Sequence, residues 1–261
     1  MIEYTRRTVL GSIAGGTLLL AGCTGNDPSS SGFTRTDVEG RELIIEFDED
    51  LEPGGISVVD PDGESFADAE VSPGATRVTF DVEVPYVPGE YAVLAIDGDD
   101  VIAETSQEIR PELEIVDVGV GANRMEEMNE GLGVTKESEA IITIRNSGTG
   151  PEELAQLLFL GDVPNPTDPE DIRVGIFDPE ESSEAWDPLT FNRGDERTLF
   201  SSSLPFYFGG DGVECEPDTQ SGEMEVQIRG EVIDQISVSY SIEYTGSDTY
   251  DTCDIALEGP D

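Results

Sequence analysis

The chain has 261 residues, of which 58 are acidic and 13 basic, giving a formal net charge of −45 with no histidine at all. That balance excludes nucleic-acid binding, which needs clustered Lys and Arg to neutralise phosphates, and peripheral attraction to anionic lipid. The missing histidine excludes a Ser-His-Asp triad, an imidazole base and histidine metal ligands.

Residues 1–22 read as an export signal. Arg6 and Arg7 form a charged start, Val9 to Ala21 is a mildly apolar run, and Leu20-Ala21-Gly22 places small residues before Cys23. The run is too short to span a bilayer, which takes about 20 apolar residues. Thr5-Arg6-Arg7-Thr8-Val9-Leu10 resembles the twin-arginine export signal, and Leu20-Ala21-Gly22-Cys23 resembles the prokaryotic lipobox. Together they imply a lipid on Cys23, which becomes the first mature residue, and anchorage to the cell membrane facing the exterior. The competing reading is an ordinary cleaved signal with a chance cysteine. One acyl chain holds a membrane only marginally and no basic patch is present to help, so the lipid must carry at least two chains. Residues 23–32, small and polar, read as a flexible tether.

From 33 to 110 the pattern is strand after strand. Arg41 to Phe47 puts Leu43, Ile45 and Phe47 on one side; Ile56 to Asp60 is a short apolar run closed by the turn Asp60-Pro61-Asp62-Gly63. Arg77 to Val84 alternates, with Val78, Phe80, Val82 and Val84 facing in. Pro88-Gly89 turns into Tyr91 to Ile96, and Asp97-Gly98 leads to the returning strand Val101 to Ile109. No stretch carries a helical period. Pro88-Gly89-Glu90-Tyr91 with its alternating strand resembles small Ig-like or fibronectin-type-III-like domains.

Arg110-Pro111 reads as the boundary to a second body, 111–261. Leu113 to Val120 and Ala140 to Asn146 are strand-like; Asn123 to Thr135 is a loop or a single helical turn. The strand after Pro111 followed by Ile142-Thr143-Ile144-Arg145-Asn146-Ser147-Gly148 resembles the Ig-like, cell-adhesion-related domains of prokaryotic surface proteins. That resemblance implies a spacing or binding role and names no partner; a cell-surface protein or glycan of unknown identity is expected. Leu154 to Leu160 is either a central strand or a short buried helix. Residues 161–197, with five prolines from Pro164 to Pro188, read as a long insertion carrying one or two short strands. Arg197 to Phe208 resumes sheet. Met224 to Arg229 and Ile236 to Tyr244 form a hairpin around Gly230, the latter with Ile236, Val238, Tyr240, Ile242 and Tyr244 on one face. Cys253 lies in a last strand ending at Leu257. The whole is an all-β chain of two antiparallel sandwiches.

The acid is spread through both bodies: 21 acids against 4 bases over 33–110, and 35 against 7 over 111–261, with Lys136 the only lysine. Such a surface repels itself in dilute buffer, whereas at 1 M salt the screening length falls to about 3 Å. The composition resembles that of proteins from salt-loving archaea. The other reading, an acidic disordered chain, is opposed by 36% apolar residues and the periodic strands. With Cys23 lipidated, Cys215 and Cys253 remain as an even pair, read as a disulfide of an oxidising compartment rather than two buried thiols.

No phosphate-cradling loop or dinucleotide fingerprint is present, and no cofactor is expected. A Ser-Lys dyad would have to use Lys136, which sits beside Glu137 in a surface turn. Calcium is the one candidate ion: Asp60-Pro61-Asp62-Gly63-Glu64 and Asp97-Gly98-Asp99-Asp100 supply turn oxygens, though neither fits the twelve-residue loop with its terminal bidentate Glu. Trp186, Phe191, Phe206, Tyr207 and Phe208 form the candidate contact surface, against the plainer reading that they fill the core. The function expected is a non-catalytic surface binder or spacer. The alternatives are a surface-polysaccharide hydrolase using paired carboxylates, which a deep cleft between two carboxyls would favour, and an accessory or solute-binding subunit of a transporter.

Overall fold

Most alternating segments fold as strands; Arg77 to Val84 is corrected, its strand ending at Asp81 before Pro85, with Val84 outside it. The computed structural model describes residues 32–128, 136–170, 175–178, 189–246 and 253–259. The first seven strands are β1 (Phe33–Glu39), β2 (Glu42–Phe47), β3 (Gly55–Val59), β4 (Ser65–Glu70), β5 (Arg77–Asp81), β6 (Gly89–Asp97) and β7 (Asp100–Ile109). They pair antiparallel into one sheet of order β1-β2-β5 and a second of order β4-β3-β6-β7. The inward side chains of both sheets form one buried cluster, with Leu43, Ile45 and Phe47 meeting Ile56, Val58, Tyr91 and Val93. Tyr91 keeps its hydroxyl satisfied by donating to the Val87 carbonyl at 2.7 Å.

Nine strands follow: β8 (Leu113–Val120), β9 (Ala140–Asn146), β10 (Glu152–Gly161), β11 (Ile176–Phe177), β12 (Leu189–Phe191), β13 (Glu196–Ser201), β14 (Gln220–Gly230), β15 (Ile236–Gly246) and β16 (Cys253–Glu258). They form antiparallel sheets of order β11-β13-β9-β8 and β12-β10-β14-β15-β16 around a second, separate core. Leu154 to Leu160 is a strand. Leu157 and Phe159 point into the core while Leu158, between them, is buried on the opposite face. A central strand covered on both sides reads as a continuous apolar run, which is why periodicity left its type open.

The expectation of sheet through Arg197 to Phe208 is corrected. The strand ends at Ser201, and Phe206 to Phe208 lie in turns. Phe206 is drawn inward instead, its ring edge-on to Phe159 at 6.3 Å.

The two sandwiches meet end to end. β7 runs into Arg110-Pro111 and out again as β8, and the turn after β9 folds back over that linker. Asn146, fully buried, is the centre of the joint. Its Oδ1 accepts from the backbone N–H of Glu112 and of Gly148, both at 3.0 Å; its Nδ2 donates to the carbonyls of Gly150 (2.9 Å) and Phe191 (3.1 Å). Tyr86 of the first sandwich donates to the Pro151 carbonyl at 3.0 Å, and the Arg110 N–H donates to Thr149 Oγ1 at 3.1 Å. Gly150 has to be glycine here, because a Cβ would lie 2.2 Å from the Tyr86 hydroxyl. Arg193 reaches across to Asp37 of β1.

Glu152, the first residue beyond the joint, is buried with its carboxylate facing the backbone N–H groups of Glu153, Glu231, Val232 and Ile233. Burial pushes its carboxyl above the ordinary range, and those four donors oppose the shift. Burial also pushes the Tyr86 phenol up, with the nearby Glu152 charge adding to it.

Candidate functional site

Strand direction places each described loop at one of two ends. Gly32 accepts from the Asp48 N–H at 2.8 Å, so the first described residue of the chain lies beside loop 48–54. β1 and β7 both run from that end toward the joint. In the second sandwich β8, β10 and β13 run away from the joint, and β9 and β14 return to it. The 3₁₀ turn Gly121–Arg124, the loop 161–170, the segment 202–219 and the start of β16 therefore gather at the end farthest from Gly32. Connecting segments that a rigid scaffold displays together are where binding residues concentrate.

These loops are tied to one another. Asn165 Nδ2 donates to the Leu204 carbonyl at 3.0 Å, the Gly212 N–H to Pro164 at 3.1 Å, the Val213 N–H to Val163 at 3.2 Å, and the Phe206 N–H to Ser138 at 3.1 Å. Tyr244 of β15 donates to the Asp162 carbonyl and meets Phe208 edge-on at 5.7 Å; burial raises its phenol pKa. Cys215 and Cys253 are joined by a disulfide, with Cα atoms 5.7 Å apart, which fastens the 202–219 segment to β16. The result is a preformed tip.

Among the aromatic candidates, Phe191 and Phe206 are core residues, Phe208 is half-buried against the core, and Tyr207 stands 50% exposed on the tip. Met125, on the turn that follows β8, is exposed as well. Among the described aromatic candidates Tyr207 is thus the one whose ring is exposed. The hydrogen bonds between loops were hidden from sequence reasoning because their partners lie about 40 residues apart or more; Gly209-Gly210 and Gly212 were the only local signal.

The calcium candidates are placed differently. In the Asp60 turn, Oδ1 accepts the N–H of Asp62 (3.0 Å) and Glu64 (2.8 Å), so that oxygen is engaged in shaping the turn. Asp97 and Asp100 face each other as the closing pair of the β6–β7 hairpin. Among the described residues no group of three or more Cys, Asp or Glu is placed to hold a metal ion. Lys136 lies in the turn before β9, its carbonyl packed where Gly121 has no side chain. Arg6, Arg7, Cys23 and Trp186 lie outside the described residues.

The fold is that of an all-β protein built of antiparallel sandwiches. No family model matches the chain, and no curated protein does. Among solved structures it aligns with a glycosyl hydrolase family 2 member from Bacteroides cellulosilyticus DSM 14838, at 14% identity and a TM-score of 0.25, over 77% of this chain and 24% of that one. It also aligns with a beta-glucuronidase from glycoside hydrolase family 2, at 9% identity and a TM-score of 0.26, over 86% of this chain and 20% of that one. The chain thus spans about a quarter or less of either, and no activity is carried over from them.

Proposed function

We propose that this chain is a lipid-anchored protein of the cell exterior, holding two sandwiches end to end so that the loop tip of the second is presented to a surface partner, protein or glycan. One observation supports the reading: Gly32, the first described residue, lies at one end and the hydrogen-bonded, disulfide-fastened loops sit at the other, across a joint fixed by Asn146. Cys23 is the hook, Arg6 and Arg7 the export signal, and the even acid load an adaptation to concentrated salt. The test pairs the wild type with Cys23→Ser in the producing cell. Mass spectrometry of membrane-bound wild type is expected to find Cys23 lipidated at the mature N-terminus, and the variant is expected in the medium. A variant that stays on the membrane, or a wild type whose mature chain starts elsewhere, overturns the anchor. Loss of co-purifying partner in Tyr207→Ala, with membrane attachment intact, checks the tip.

A further inference from the structure

The second sandwich is open along one seam. Among the described residues β8 is the last strand of its sheet and pairs only with β9, and β16 is the last strand of the other and pairs only with β15. At the tip end the seam is closed, because Asn123 Nδ2 donates to the Ile255 carbonyl of β16 at 2.7 Å. Toward the joint it widens into a groove of about 600 Å³ between Leu113–Val118 and Ile236, Val238, Tyr240 and Leu257.

The core shows through this groove. Leu113, Ile115, Val118 and Tyr240 line it and keep 5–7% exposure, while the rest of the same core, Ile255 at the closed end apart, has 3% or less. Val116, the extra residue of a bulge in β8, adds an apolar side chain 42% exposed on the groove wall. A slot of mixed lining that opens on a core beside a strand edge with no ladder partner among the described residues is what an added strand fills: its backbone continues the ladder and its alternate side chains enter the slot.

We propose that the groove receives an extended strand of a partner protein, paired with the free edge of β8, apolar at alternate inward positions and basic or uncharged at the outward ones. The charge preference comes from the body as a whole. On the groove wall Glu114 and Asp117 are ion-paired to Arg145 and Arg124, but the body from 111 to 261 carries 35 acids against 7 bases. An acidic strand, including one from a second copy, meets like charge there. This site is separate from the anchor and from the tip, and stands whether or not those readings do.

Fusing a strand to the full chain supplies the test. Gly259 lines the groove, so a twelve-residue Gly/Ser linker after Asp261, with a root-mean-square reach of about 19 Å, delivers a probe to β8 in either direction. The probe is eight residues alternating valine with lysine or threonine; the control has proline at two inward positions, which removes ladder donors and keeps the apolar character. The probe is expected to slow amide exchange across Glu114–Val118 at least tenfold and to raise the melting temperature, and the control to do neither. Val116→Asp, an exposed position, is expected to cancel the protection without unfolding the chain. Unchanged exchange with the probe overturns the proposal. Equal protection by probe and control overturns it in favour of an apolar-ligand pocket. Protection of β8 in the unfused chain, together with a dimer in sedimentation, overturns it in favour of a second copy.

Discussion

Asn146→Ala strikes the joint at its centre. The side chain makes four hydrogen bonds, all to backbone groups of the linker, its own turn and the end of β12. Each is worth about 1 kcal/mol net, and a buried group left without a partner costs about 1–3 kcal/mol. Water can reach Glu112, which is exposed, but not Gly148 or the Phe191 carbonyl as readily, so a loss of roughly 3–5 kcal/mol is expected. That is a large share of the 5–15 kcal/mol typical of a domain. For a body of this size about 1 kcal/mol moves the midpoint by 2–4 °C, so the second sandwich is expected to melt roughly 10–15 °C lower. Calorimetry in concentrated salt reads the shift, with the first sandwich's transition nearly unmoved. Small-angle scattering below the transition is expected to show a broader spread of inter-sandwich angles. Asn146→Asp keeps the two accepted bonds but turns a carboxylate on the carbonyls of Gly150 and Phe191. Its stability is expected to rise as pH falls and the group regains a donor. A midpoint drop under 3 °C for Asn146→Ala would refute the assignment of Asn146 as the keystone of the joint.

Replacing Cys215 and Cys253 together by serine opens a loop spanning 38 positions, for which loop closure gives about 4 kcal/mol; denaturant titration in salt is expected to show that loss in the second sandwich alone. Burial raises the phenols of Tyr86, Tyr91 and Tyr244, Tyr91 to about 12. Raised phenols stabilise the fold fully below their unfolded value of about 10, and that stability is lost as pH rises through the folded values. Alkaline unfolding is therefore expected to set in above pH 10, and phenolate absorbance is expected to rise with it rather than before it. Tyr207→Ala removes an exposed ring and is expected to change stability by less than about 0.5 kcal/mol, which makes it a clean probe of the tip.

The sequence was most legible where alternation was regular. β8 and β9 have the bounds the pattern predicts, and the inward face of β15 is the predicted one. β1 was not singled out because a register shift between Phe33 and Arg35 puts Phe33 and Val38 out of phase. β4 was missed because it is an edge strand, whose one large apolar residue is Phe66. Phe206 broke the reading of 197–208: three consecutive aromatics suit a strand by propensity, yet the core beside Phe159 takes only one of them, and the chain turns to supply it. In the sequence Asn146 is just the last residue of a strand-like run. Its role depends on Glu112 and Phe191, 34 and 45 residues away, and no local pattern encodes that. The seam was equally hidden, since alternation tells which face of β8 is inward and nothing about which edge is left unpaired.

Charge and architecture constrain each other through the joint. Seven arginines form ion pairs with nine carboxylates among the described residues, and most of these pairs are exposed, a class worth about 0–1 kcal/mol each. The surplus is left to solution ions. Taking the bodies as charges of −17 and −28, with centres about 35 Å apart for compact domains of their lengths, Coulomb repulsion in water is about 56 kcal/mol unscreened. With a screening length near 30 Å at 0.01 M it is still about 17 kcal/mol, at 0.1 M about 2 kcal/mol, and at 1 M negligible. The joint offers a handful of hydrogen bonds and the Arg193–Asp37 pair, a few kcal/mol in all. It therefore holds the sandwiches in line in concentrated salt and gives way near 0.01 M. Scattering curves that stay superimposable from 2 M down to 0.01 M potassium chloride would mean that the joint is far stronger than its bonds, and the argument from them would fail.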